Sequence, residues 1–207
     1  RRNDALKLWA AWRRLGDLPN EAVALNNMAL AQLALNAPDE AVTLYEQASA
    51  AQAAAGDKSR AAAALRDAGN VRYGQNRYTE ALSFHQRALS LFAEAGDQNG
   101  QAQTLWKMAL AAGGAGDWET ELSNYAAALD IFRALGDTTN ERTTLSLMAT
   151  VYQFRGKWLD ALAIWQQVRA MDQRSGRRDD EALSTYSLAL IYDGLGQTTR
   201  AREAYQQ

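Results

Sequence analysis

The stretch GDTTNERTTLSLMATVYQFRGKWLDALAIWQQVRAMDQRSG, residues 136–176, decides the fold. It opens and closes on glycine, and between Gly136 and Gly176 it carries two apolar faces. Leu145, Met148, Ala149 and Tyr152 are spaced i, i+3, i+4, i+7, which places them on one side of a helix. Arg155-Gly156-Lys157 reads as a turn, after which Ala161, Trp165 and Val168 again share one side. Two helices joined by a tight turn are therefore predicted within 40 residues.

Working outward, the same pattern recurs. Gly16, Gly56, Gly96, Gly136 and Gly176 lie 40 residues apart, and Asp17, Asp57, Asp97 and Asp137 follow four of them; Arg177 breaks the series. Glycine adopts the left-handed conformation that ends a helix. An aspartate beside it serves the next helix N-terminus by capping or by facing its dipole. Further first helices carry Leu25/Met28/Ala29, Leu65/Ala68/Gly69, Leu105/Met108/Ala109 and Leu188/Ala189. Second helices carry Ala41/Tyr45/Ala48, Ala81/His85/Ala88, Tyr125/Ala128 and Ala201/Tyr205. Small residues let helices approach while large ones fill the space beside them. Self-similarity at such a period marks an all-α solenoid. The expected organisation is residues 1–16 as the second helix of a preceding repeat, repeats at 17–56, 57–96, 97–136 and 137–176, and an incomplete repeat at 177–207. With Arg1 in first place and both ends cutting the period, the chain reads as part of a longer array.

Composition agrees. Alanine is abundant and proline occurs only at Pro19 and Pro38, which favours helices. Apolar residues make up 47% of the chain, enough for a continuous buried seam, yet no apolar run is long enough to span a membrane. The net charge of −2 and the absence of any Lys/Arg tract beyond two residues argue against nucleic acid as a partner. With no cysteine there is no disulfide framework, zinc finger or thiol nucleophile, and a cytoplasmic, reducing setting is expected.

No catalytic, cofactor or metal site is expected. His85 is the only histidine and occupies the register of Tyr45, Tyr125, Trp165 and Tyr205, which makes it a packing residue. HExxH, EF-hand and P-loop patterns are absent. Gly113-Gly114-Ala115-Gly116 has no preceding strand and no following Lys-Ser/Thr, so it reads as a helix end.

The positions Leu145, Met148-Ala149, Tyr152, Gly156, Trp158, Ala161 and Trp165, with turn aromatics Tyr78 and Trp118, resemble the tetratricopeptide repeat. The family's common unit has about 34 residues; this spacing is similar to the longer variant of kinesin light chains and bacterial multidomain signalling proteins. Departures are Gln32 and Arg72 at the first-helix aromatic position, Val168 for a small residue and Glu121 for Ala, the last expected to tilt into water. The resemblance implies a right-handed superhelical solenoid of antiparallel helix pairs whose first helices line a concave, peptide-binding groove. By that register the groove residues are Asn26, Arg66, Asn70, Tyr73, Gln103, Trp106, Lys107, Ser146, Thr150, Gln153 and Tyr186. Amides suit the backbone of an extended peptide and rings cover its side chains; Trp106 is expected to stand exposed as an anchor. Arg66, Asn70 and Lys107 partly match the family's carboxylate clamp, although Thr143 and Leu147 stand where clamp members are basic. The function expected is a protein- or peptide-binding scaffold. The alternatives are a self-assembly segment, to which the apolar Leu6, Leu8, Trp9 and Trp12 would contribute, and a regulatory arm of a bacterial multidomain signalling enzyme or transcription regulator.

Overall fold

The computed structural model describes residues 2–206 and is all-helical among them. Eleven helices follow one another: α1 (Arg2–Leu15), α2 (Leu18–Ala34), α3 (Pro38–Ala54), α4 (Lys58–Gly74), α5 (Tyr78–Glu94), α6 (Gln98–Gly114), α7 (Trp118–Leu135), α8 (Thr138–Phe154), α9 (Trp158–Ser175), α10 (Arg178–Gly194) and α11 (Thr198–Tyr205). From α2 to α10 every helix has 17 or 18 residues, and connections of two or three residues join each to the next. The chain divides into two compact units, Arg1–Ile131 and Phe132–Gln207.

The turns repeat twice as often as the glycine register suggests. A left-handed residue occurs every 20 positions: Gly16, Asn36, Gly56, Asn76, Gly96, Gly116, Gly136, Gly156, Gly176 and Gly196. Asn36 and Asn76, at φ 58° and 59°, fill the role that glycine fills elsewhere; asparagine tolerates this conformation better than most residues. Except at Gly176, the turns share a closing bond in which an amide one past the left-handed residue donates to a carbonyl five back, as in Asp57 N to Gln52 O (3.0 Å) and Lys157 N to Tyr152 O (2.9 Å). Asp17, Asp57, Asp97 and Asp137 then cap the next helix, accepting from the amides of Asn20, Arg60, Gly100 and Asn140. Asp117 caps in the same way, accepting from the Thr120 amide at 3.0 Å. Arg177 has no side-chain cap to offer.

Within the first unit the seam joins Ala29, Ala41, Tyr45 and Ala68, then Leu25, Ala48 and Ala64, then Ala62, Leu65, Ala88 and Phe92. Glycines sit where a neighbour's ring needs their space. A Cβ at Gly100 would lie 2.3 Å from the Phe92 ring, and one at Gly114 would lie 2.4 Å from the Tyr78 ring. Gly100→Ala should therefore destabilise the first unit by about 1–3 kcal/mol despite alanine's better helix propensity. A denaturation midpoint equal to wild type would show that Phe92 gives way freely.

Three departures from the repeat pattern have structural answers. Glu121 does not tilt into water: its carboxyl lies over Gly113, within 2.6 Å of where a Cβ would be. Glycine on one helix accommodates the oversized residue on the next. Arg72, in the register of Tyr152 and Tyr192, extends to the surface and is only 11% exposed. Its guanidinium pairs with Asp39 and, at 3.3 Å, with Glu80, and Arg77 reaches the same two carboxylates at 3.2 and 2.6 Å. In the second unit, Asp172 stands where Phe92 stands in the first, wholly buried. Opposite it, Arg142 stands in the register of Ala62, its Nε donating to one Asp172 oxygen and its Nη2 to the other (3.1 Å). Arg142 also lies 3.4 Å from Asp180. Tyr152, read from the sequence as a core ring, is only half-buried, with Lys157 6.0 Å from its ring centre.

Candidate functional site

Helices α4 and α6 set the first-helix residues of the first unit side by side. Arg66 donates from Nη1 to Gln103 Oε1 at 2.9 Å, and its guanidinium lies 5.4 Å from the Phe92 ring centre. Gln103 in turn donates to Asn99 at 3.3 Å. The Lys107 ammonium sits 5.1 Å from the centre of the Trp106 ring. Neither cation forms an ion pair among the described residues. Asn70 makes only a long contact, Nδ2 to Asp67 Oδ1 at 3.5 Å. Burial raises the Asp67 carboxyl above its ordinary range, outweighing Arg66, Asn70 and Lys107. On α5, His85 packs on Gly69, where a Cβ would come within 2.6 Å of its ring. It is fully buried, and neither ring nitrogen has a hydrogen-bond partner. Burial, aided by Lys107 and Arg66, lowers its pKa to about 4.

The geometry corrects part of the register argument. Trp106 is half-buried beneath Lys107 and is not a freely exposed anchor. Tyr73, 37% exposed, tilts against Tyr78 with ring centres 5.7 Å apart. Asn26 is half-buried, and its Oδ1 lacks a partner. Arg66, Asn70 and Lys107 thus do not form a free clamp: each already leans on a neighbour of its own unit.

In the second unit, the Ser146 hydroxyl donates to Arg142 O (3.0 Å) and Thr150 to Ser146 O (2.8 Å), so both are satisfied within α8. Gln153 is half-buried on the next turn. Tyr186 behaves as the register predicts, 54% exposed, with its ring centre 5.9 Å from that of Tyr205. The Tyr205 hydroxyl donates to Asp193 at 3.0 Å, and both rings border a cavity of about 450 Å³. Leu183 and Leu190, three before and four after Tyr186, are exposed and extend its apolar stripe; their spacing was visible in the sequence but was not assigned to the site. A second feature missed at that level is the cavity beside Asp67, described below. Among the described residues no group of three or more acidic or histidine side chains is placed to hold a metal ion, and no helix is long and apolar enough to cross a membrane.

Paired helices of nearly constant length, closed by one kind of turn and packed through matched small and large residues, define a helix-pair repeat protein. Family models for the tetratricopeptide repeat match residues 60–134 and 140–207, and a further one matches residues 24–63. The chain belongs to the tetratricopeptide repeat family. No curated protein sequence matches it. Among solved structures it is similar to the nearly identical TPR-like repeats of a candidate kinesin light chain from Podosopora anserina, at TM-score 0.72 and 18% identity over 91% of this chain and 93% of that one. BtubC (BKLC) from P. vanneervenii gives TM-score 0.79 at 16% identity, over 99% of this chain and 87% of the other. A Rap protein complexed with Competence and Sporulation Factor gives 0.62 at 16%, covering 90% of this chain and 52% of the Rap protein. These likenesses show a shared fold.

Proposed function

We propose that this chain is a protein- or peptide-binding scaffold, built of the 40-residue repeats and carrying no catalytic step, that holds an extended polypeptide along its first helices. The supporting observation is the pair of half-buried cations on one face of the first unit, Arg66 against Gln103 and the Phe92 ring and Lys107 against the Trp106 indole, neither in an ion pair among the described residues. Such cations suit carboxylates of a partner, while Gln103 and Asn70 suit its backbone. The Rap protein's complex with Competence and Sporulation Factor is an instance of the fold binding a partner. The cytoplasmic setting expected from the sequence belongs to the same proposal.

The test is selection of peptides from a displayed library on the immobilised chain, followed by calorimetry. Arg66→Glu should weaken the selected peptides by at least about 1 kcal/mol with little change in melting temperature. Peptides that bind the variant as tightly as wild type would exclude this face.

A further inference from the structure

Between the C-terminal halves of α2 and α4 the first unit contains a cavity of about 560 Å³, within the range of small-ligand pockets, about 300–1,000 Å³. Leu30, Leu33 and Val71 line its sides together with Tyr45; Asn36, Asn70 and Gln75 add amides, and Asp67 is the one charged side chain of the lining. We infer that this cavity is a subsite for a basic side chain, lysine or arginine, of the polypeptide proposed to lie on this face. The inference rests on that reading and adds the chemistry of one ligand position.

The carboxylate carries the argument. Asp67 is half-buried, forms no ion pair among the described residues, and has only the 3.5 Å contact to Asn70 as a bond. Its nearest cations are committed elsewhere: Arg66 to Gln103 and the Phe92 ring, Lys107 to the Trp106 ring. A desolvated, unpaired carboxylate is costly, and a cation arriving in the cavity offsets that cost. Lysine and arginine also supply long alkyl stems that pack on apolar surface while the charged head reaches a polar group. Leu30, 57% exposed, with Leu33 and Val71 offers that surface. An acidic side chain would meet Asp67 as a like charge. A wholly apolar one would bury the carboxylate further with nothing to pair it.

The experiment uses the absence of cysteine from the chain. Gly74 lines the cavity, and a Cβ there meets nothing within 4 Å, so Gly74→Cys places a single thiol at its wall. The variant is equilibrated with the matched symmetric disulfides of short alkyl thiols ending in ammonium, hydroxyl or carboxylate, each with its parent thiol present; the introduced thiolate attacks one sulfur, a mixed disulfide forms and one alkyl thiol leaves. Mixed disulfides are quantified by mass spectrometry and normalised to the same reaction on the denatured chain. The ammonium thiol should be captured about tenfold more than the hydroxyl thiol, the increment of one charge-assisted contact, and the carboxylate thiol least. Adding Asp67→Asn should reduce the preference to about twofold or less, with the melting temperature kept. Equal capture of the three thiols, or an ammonium preference that survives Asp67→Asn, would overturn the subsite. No peptide enters this assay, so its failure refutes the subsite alone, whereas the Arg66→Glu measurement bears on the face as a whole.

Discussion

Arg142→Ala should cost the second unit about 3–5 kcal/mol, because it leaves the Asp172 carboxylate wholly buried with no cation against it. Asp172→Ala should cost clearly less. The Arg142 side chain is 16% exposed and keeps Asp180 within 3.4 Å, so its charge retains both water and a partner. Replacing both residues by apolar ones of similar total volume, Arg142→Met with Asp172→Val, should return stability to within about 1 kcal/mol of wild type, since a buried ion pair contributes little net over a well-packed apolar pair. Denaturant midpoints of the four proteins decide it. Equal losses from the two single alanine variants would show that burial of Asp172 is not what sets the cost.

Acid should weaken the first unit through His85. In the unfolded chain this imidazole titrates near 6.5, whereas in the folded protein it stays neutral down to about 4. The unfolded state therefore binds the extra proton between these values. Stability from this group is complete above pH 6.5 and is lost as pH falls toward 4, by about 3 kcal/mol in all. His85→Phe retains a ring over Gly69 and has no proton to bind. The stability difference between wild type and this variant should move by that amount in favour of the variant between pH 7 and pH 4. Parallel pH profiles would mean that His85 gains a solvent path in the folded state.

The helix-pair architecture was legible because it rests on local rules. Glycine at fixed intervals, aspartate beside it and apolar residues at helical spacing each act over a few residues. The mid-repeat turn was legible at Gly156, but Asn36 and Asn76 were passed over as its counterparts because asparagine ends a helix less distinctively than glycine. The register also placed Arg66 and Gln103 correctly on neighbouring first helices, where they bond. It could not show that Lys107 lies against Trp106, because side-chain direction depends on rotamers chosen by packing. The Arg142–Asp172 pair left a trace, two simultaneous departures 30 residues apart: Arg142 at a position that reads Ala at 22, 62, 102 and 182, and Asp172 at one that reads Phe at 92 and 132. Their contact across two helices explains both.

The fit of Phe92 to Gly100 bears on how such a chain can grow by duplication. The two residues lie on opposite sides of the Gly96 turn, so the match belongs to a junction and not to either repeat. A tandem copy of residues 57–96 would bring Phe92 against Arg60, the counterpart of Gly100, and a newborn junction would begin life mismatched. Lengthening by gene duplication would then select first for a small residue at that single position. Modules cut between Gly56 and Gly96 and transplanted elsewhere carry the same requirement with them.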